Sequence, residues 1–321
     1  MMTSMKAMEL ADDGKAFQID IPKPEPEKKQ VLVKVKYSAV DTAVDAVLGR
    51  TWVGGFLHAK TKPRVLGWHF SGTIEQVGTD VTDFKVNDDV FGHLQYSPDT
   101  KQGAFAEYVT VPAEDLAKKP ETIDHDLAAA STTEGVTALQ AMRDLGGLSE
   151  GQSILIIGAG GGVGTSAVAI AKRLGAHVTA VCSTRDVERV RALGADNVID
   201  RTKMEPFSVD AKYDVIFDTP CAYSAIKSLG KLNSKGTYVT PLPSWSLAGA
   251  MALSLFTGKS AKFVGCHSKK EDLELLGKWL EDGMKVEIDS KYPISKLADA
   301  IQQQRKRTKT GRVVVKVEGG W

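Results

Sequence analysis

The chain runs Ser153-Ile154-Leu155-Ile156-Ile157-Gly158-Ala159-Gly160-Gly161-Gly162-Val163-Gly164 near its middle. A short apolar run leads into a glycine-rich turn, and a helical pattern from Thr165 to Leu174 follows at once. Strand, tight turn and helix N-terminus in that order form a seat for a pyrophosphate. Glycines let the backbone come close, and the first-turn N–H groups and the helix dipole attract the anion. Gly175-Ala176 stops the helix, and a second β-prone run, His177 to Val181, completes a strand-helix-strand unit.

The end of that second run tells which nucleotide is expected. An acidic residue about 20 positions beyond the glycines would hold ribose hydroxyls. Here the run ends in Val181-Cys182-Ser183-Thr184-Arg185. The hydroxyls of Ser183 and Thr184 and the guanidinium of Arg185 suit a 2′-phosphate, because Arg can take two phosphate oxygens at once and an Asp would repel them. NADPH is therefore the expected cofactor. Two alternatives stay open: Ser183 and Asp186 have the spacing of a capping box, and Asp186 could itself serve the ribose.

Outward from this unit the texture differs on either side. Residues 5 to 110 read as strand-rich, with Val31-Leu32-Val33-Lys34-Val35-Lys36 alternating, Gly72 to Gly78 β-prone, and turn signals at Asp12-Asp13-Gly14, Val86-Asn87-Asp88-Asp89 and Lys101-Gln102-Gly103. From about residue 123 strands and helices alternate, as parallel strands with crossover helices would: Ser153 to Ile157, Gly164 to Leu174, His177 to Val181, Val187 to Leu193, Tyr213 to Phe217. Later come a charged helix, Lys269 to Asp282, a second helix, Ser295 to Gln304, and a last strand, Arg312 to Val317. The expected layout is a β-rich domain over 1–123 and 262–321, interrupted by a doubly wound α/β domain over 124–261.

Composition excludes several classes. The chain has 321 residues, 42% hydrophobic and 25% charged, and its net charge of +1 gives no general field for nucleic acid or an anionic membrane. The basic run Arg305-Lys306-Arg307-Thr308-Lys309 reads as the solvated end of a helix. Three cysteines, Cys182, Cys221 and Cys266, show no pairing motif and no secretory signal precedes them, so a cytoplasmic home is expected. The longest apolar stretch, Leu247 to Phe256, is far short of the roughly 20 residues of a membrane span. Following Trp245, it suggests instead a homodimer surface, with burial inside its own subunit as the alternative.

Gly67-Trp68-His69-Phe70-Ser71-Gly72, Gly103-Ala104-Phe105-Ala106-Glu107-Tyr108-Val109, Gly135-Val136-Thr137-Ala138-Leu139, the glycine turn and Gly311-Arg312-Val313-Val314 occur in one order along nearly the whole chain. Together they resemble the landmarks of the medium-chain dehydrogenase/reductases. The resemblance implies a GroES-like catalytic domain made from both chain ends, a Rossmann-type domain between them and an active site in the cleft. It also implies cofactor contacts at Thr133, Thr137, Gly160, Gly161, Gly162, Val163, Arg201, Thr219, Thr240 and Arg312. Pro220 and Cys221 depart from the family pattern after the strand ending near Asp218.

The sequence departs from the zinc alcohol dehydrogenases as well. Trp68 stands at the family's ligand histidine, His69 at the following glutamate, and no cysteine occurs before Cys182. No metal site is expected, since zinc needs several converging Cys, His or carboxylate ligands. The similarity then points to the zinc-free quinone oxidoreductase-like members, in which an NADPH-dependent enzyme passes hydride to a quinone, or to an alkenal or enone double bond. A non-catalytic NADPH-binding regulatory protein is the reading from another class. Without a Lewis acid the protein must orient the acceptor and offer a donor to the forming anion. Asp41, Trp52, Trp68, His69 and Tyr96 are the candidates for that acceptor pocket, with Trp52 and Trp68 open as core aromatics and His69 as a packing histidine. Tyr223 and Lys227 have the spacing of a short-chain dehydrogenase pair, but the glycine turn lies too near them for that architecture, and they read as helix-cap residues.

Overall fold

The computed structural model describes residues 3–49, 53–306 and 308–321. The chain divides into two compact units, Met1–Thr133 with His267–Trp321, and Glu134–Cys266.

In chain order the first unit begins with β1 (Ser4–Leu10), β2 (Ala16–Pro22), β3 (Gln30–Val40), α1 (Ala43–Leu48), α2 (Gly54–Leu57), β4 (His69–Val77), β5 (Asp89–His93), β6 (Tyr108–Pro112) and β7 (Leu116–Lys118). Helix α3 (His125–Leu139) contains the boundary and runs into a π-helical turn, Gln140–Leu145. The second unit carries β8 (Ser153–Ile157), α4 (Gly162–Arg173), β9 (His177–Cys182), α5 (Val187–Ala192), β10 (Asn197–Asp200), β11 (Tyr213–Asp218), α6 (Ala225–Leu229), β12 (Leu232–Thr240), α7 (Trp245–Thr257) and β13 (Ser260–Phe263). The chain then returns to the first unit with α8 (Lys270–Glu281), β14 (Ile288–Pro293), α9 (Leu297–Arg305) and β15 (Arg312–Lys316).

The first unit holds a seven-stranded sheet in the order β14-β15-β3-β4-β5-β7, with β6 paired to β3 off that path, and a β1-β2 hairpin turned at Gly14. Strand β3 is long because it serves three partners: β15 at its end, β4 along its length and β6 at its start. Alternation along these strands sends Val31, Val33 and Val35 into a core with Trp68, Phe70, Phe105, Leu297 and Val313. Residues from both chain ends thus share one core.

The second unit is a six-stranded sheet, all parallel, in the order β10-β9-β8-β11-β12-β13. Counted within the unit this is third, second, first, fourth, fifth, sixth, the doubly wound order. The strand order reverses between β8 and β11, and in sheets of this kind ligands bind outside the carboxyl ends of the strands at that point. Their residues, Ile154 to Ile157 and Val215 to Phe217, are buried on both faces and form nearly unbroken apolar runs for that reason. No helix among the described residues is long and apolar enough to cross a membrane.

Candidate active site

In the second unit the glycine turn leaves the carboxyl end of β8 beside Asp218 of β11. Gly158 has φ 81°, and a Cβ there would lie 2.5 Å from Thr219 Oγ1, so glycine is required twice over. At Gly164 a Cβ would be 2.1 Å from Gly158 O, and at Gly162 it would be 2.9 Å from Glu134 Oε1. Over Gly161, the N-cap of α4, an added Cβ meets only Gly158 O at 3.4 Å. The turn is bare backbone at a helix N-terminus with one open side, a cradle that fits a pyrophosphate.

The rim of this cradle is more tightly tied than its sequence suggests. Ser183 Oγ donates to Asp186 Oδ2 at 2.7 Å, Arg185 Nε to the same oxygen at 3.3 Å, and Arg189 Nη2 to Asp186 Oδ1 at 2.6 Å. Arg189 Nη2 also donates to Gly160 O at 2.8 Å. Burial, the largest single influence on Asp186, pushes its carboxyl up, but these donors together outweigh it and hold it below its ordinary value. Ser183 makes no side-chain bond to the helix backbone, so the capping-box alternative is not realised; the two side chains bond each other instead. Thr184 Oγ1 donates to Asp200 Oδ2 and shares a hydrogen bond with Thr202 Oγ1, each at 2.7 Å. Of Ser183, Thr184 and Arg185, only the arginine, 45% exposed and bonded through Nε, keeps its terminal amino groups for another partner.

The remaining second-unit candidates are spread over several elements. Arg201 is exposed after β10, its N–H donating to Cys182 O at 3.0 Å. Thr219 Oγ1 donates to Ile157 O, and Thr240 is buried at the end of β12. Thr137 is buried on α3. The departure at Pro220 and Cys221 has a local cause: the Asp218 carboxylate accepts the Ala222 and Tyr223 N–H groups, both at 3.0 Å, and the Tyr238 hydroxyl at 3.2 Å, closing a turn in which Cys221 has φ 51°. Tyr223 packs on Phe207, and Ser224 caps α6 by accepting from the Lys227 N–H, so the Tyr223–Lys227 pair is structural.

The first unit holds a buried polar cluster. Asp41 leaves the end of β3, and its Oδ1 accepts the N–H groups of Ala43 and Val44 at the start of α1. Its Oδ2 accepts the Tyr96 hydroxyl at 2.7 Å and lies 2.8 Å from His69 Nε2. The same His69 nitrogen is 2.9 Å from Arg312 Nη2, and His69 Nδ1 is 2.9 Å from Thr132 Oγ1. Burial is again the largest influence on Asp41 and pushes its carboxyl up. The hydrogen bond and charge of His69, the charge of Arg312 and the Tyr96 hydroxyl outweigh it and hold the group at about 2. Asp41, His69 and Tyr96 therefore come together as the sequence suggests, joined by Thr132 and by Arg312, which was expected at the cofactor.

Of the other first-unit candidates, Thr133 lies on α3, Trp68 is fully buried and Trp52 falls outside the described residues. Trp68 donates from Nε1 to Leu57 O and packs 5.3 Å from the Tyr96 ring, so it is a core wall behind the tyrosine. His93, also buried, donates through Nδ1 to Leu94 O, and burial lowers its ring to about 4. Two partners were missed in the sequence. Arg189 had a signal, since it stands three residues after Asp186 on a helix. Thr132 had only its place beside Thr133.

Comparison with known proteins agrees with both halves. Residues 27–121 match the family described as "Alcohol dehydrogenase GroES-like domain", and residues 193–315 match "Zinc-binding dehydrogenase". The chain is 30% identical over 311 residues to the "Chloroplast envelope quinone oxidoreductase homolog" of Arabidopsis thaliana, covering 92% of each. It is 33% identical to the "NADPH-dependent alkenal/one oxidoreductase, chloroplastic" of the same organism, covering 97% of this chain and 79% of that protein. Among solved structures, the quinone oxidoreductase from Coxiella burnetii is similar with a TM-score of 0.87 and 27% identity, over 98% of this chain and 100% of the other.

Proposed function

The chain belongs to the medium-chain dehydrogenase/reductase family, quinone oxidoreductase-like, and is a nicotinamide-dependent oxidoreductase; on that premise we propose that it reduces quinone-type acceptors with NADPH and without zinc. The observation that carries the cofactor choice is Arg185, whose Nε rests on Asp186 while its terminal amino groups stay available at the rim of the glycine cradle. A 2′-phosphate would find a fork of donors there. Asp186, the acid nearest to hand for a ribose, already accepts from Ser183, Arg185 and Arg189.

Gly160, Gly161, Gly162 and Val163 would hold the pyrophosphate, with Arg201, Thr219 and Thr240 around the same strand ends. When bound, the reduced nicotinamide supplies a hydride, and an acceptor that takes it is left as an enolate or hydroquinone anion. In the first unit, the Tyr96 hydroxyl, held by Asp41 beside His69 and Arg312, is a donor that suits such an anion. An ionised Asp41 is no obstacle, because the adjoining guanidinium balances its charge.

Zinc does not suit these residues. Where the zinc enzymes gather ligands, this chain has the Trp68 indole, which donates to Leu57 O, and a His69 nitrogen faced by the Arg312 guanidinium at 2.9 Å. A dication beside that guanidinium would be repelled. Among the described residues no group of three or more His, Cys, Asp and Glu side chains could hold a metal.

Reduction of an alkenal or enone double bond is the second reading, favoured by the length of the match to the alkenal/one oxidoreductase. A panel of ortho-quinones, para-quinones and alkenals, followed by NADPH oxidation, separates the two. Acceptor-dependent turnover is expected with at least one class, and none above background with any would leave only the non-catalytic reading. Exposure of Trp245 at 94%, Leu255 at 82% and Phe256 at 85% supports a homodimer through α7 and the neighbouring sheet edge β13. Cysteine usage supports the cytoplasm, which fractionation checks against an organelle.

A further inference from the structure

We propose that Tyr96 donates the proton to the reduced acceptor and that Asp41 refills it from the protonated ring of His69; this rests on the reading above that an acceptor is reduced here. The geometry carries the idea. Asp41 is fixed by the Ala43 and Val44 N–H groups on Oδ1, which leaves Oδ2 between the Tyr96 hydroxyl at 2.7 Å and His69 Nε2 at 2.8 Å. That nitrogen has one bonding position and two neighbours. One is a carboxylate, which accepts; the other is Arg312 Nη2 at 2.9 Å, which can only donate. With a proton on Nε2 the ring donates to Asp41. Without it, the lone pair accepts from Arg312. Both states find a partner in the same arrangement.

The far side of the ring keeps its proton in either state. Thr132 Oγ1 donates to Ala129 O at 3.3 Å and so turns a lone pair toward His69 Nδ1 at 2.9 Å. Asp41, His69 and Arg312 are buried whereas Tyr96 is half-buried, so the tyrosine is the member of the chain that a bound molecule can reach.

In the first step the Tyr96 O–H bond breaks and its proton bonds the acceptor anion, at oxygen for a quinone and at oxygen or the α-carbon for an enone. The electron pair of the broken bond stays on the phenolate. The His69 Nε2 proton then crosses Asp41 Oδ2 to the phenolate, which restores the Tyr96 hydroxyl. The imidazole is left neutral, its lone pair on Arg312. Bulk water returns one proton to the ring before the next turnover, and no electrons leave the relay. Asp41 and Arg312 face His69 directly, and His93, which senses the charges of His69, Asp41 and His267, stands behind them.

Tyr96→Phe and His69→Gln test this in the NADPH-loaded protein. Tyr96→Phe should lower kcat by about 10²- to 10⁴-fold, the usual worth of a positioned acid, with NADPH affinity unchanged and the solvent deuterium isotope effect altered. His69→Gln should lower kcat and alter the solvent deuterium isotope effect with NADPH affinity unchanged, whereas a purely structural defect would lower kcat and leave that effect as it was. Tyr96→Phe or His69→Gln that keeps both kcat and the isotope effect overturns the relay. Nitrogen-15 NMR of the His69 ring, read without acceptor, should show a proton on Nδ1, facing Thr132. A bare Nδ1 refutes the relay even if no acceptor is ever turned over, so its failure is distinguishable from failure of the functional reading.

Discussion

At the residue scale, two arginines near one carboxylate have different work. Arg185 touches Asp186 only through Nε, so Arg185→Ala removes donors to a 2′-phosphate and little else. The loss should be about 1.5 to 3 kcal/mol, roughly a tenfold to hundredfold rise in the NADPH dissociation constant, with NADH binding unaltered. Arg189 ties Asp186 to Gly160 O and therefore shapes the cradle that either nucleotide would use. Arg189→Met should weaken NADPH and NADH alike, by about tenfold for one lost charge-assisted bond. Fluorescence titration of both nucleotides against both variants checks this. A selective loss for Arg189→Met, or a uniform one for Arg185→Ala, would reverse the assignment.

At the scale of elements, α7 shows how local chemistry and exposure combine. Ser244 caps it by accepting the Leu247 N–H at 3.1 Å, Gly258 ends it at φ 66°, and Leu247 and Ala250 fasten its inner side. Replacing Leu255 and Phe256 together by Asp leaves those anchors intact and puts charge on the exposed side. Light scattering should show the unaltered protein at twice 34.5 kDa and the double variant at 34.5 kDa; a monomer in both would mean that this surface has no copy of itself to cover. The β8-turn-α4 unit was legible because everything it needs is contiguous: apolar strand, glycines, helix. The same holds for β9, β11, β15 and α8, whose residues carry their period within a few positions. The polar cluster was legible only in part. Asp41, His69 and Tyr96 could be nominated from motifs, but His69 and Arg312 stand 243 positions apart and meet because β15 pairs with β3. Spacing along the chain holds no record of that pairing. The π-helical turn after α3 was likewise hidden, since Gln140 to Leu145 continues the helix in composition and departs from it only in its hydrogen bonds, as in Gly146 N–H to Ala141 O.

At the scale of the whole molecule, the buried titratable groups set an acid limit. Folding keeps the His93 ring neutral down to about 4, whereas an unfolded histidine protonates near 6.5. The unfolded state thus binds more protons between those values, so the stability from this residue is complete above pH 6.5 and falls by about 3 kcal/mol on the way to pH 4. Asp41 acts at lower pH: its contribution is present above the ordinary carboxylate value of 3.8 and is lost as pH falls toward about 2. Urea unfolding followed from pH 7 to pH 4 should show the midpoint dropping, and His93→Gln should flatten that drop. The activity proposed for the molecule is hydride transfer from NADPH to an electron-poor acceptor. The direct measurement is single-turnover oxidation of NADPH labelled with deuterium on one face or the other of nicotinamide C4, using the best quinone or enone of the acceptor panel. Label on one face should slow the reaction and label on the other should not, with oxidation absent when the acceptor is withheld. Equal rates for both labels and unlabelled NADPH, with oxidation indifferent to the acceptor, would contradict it.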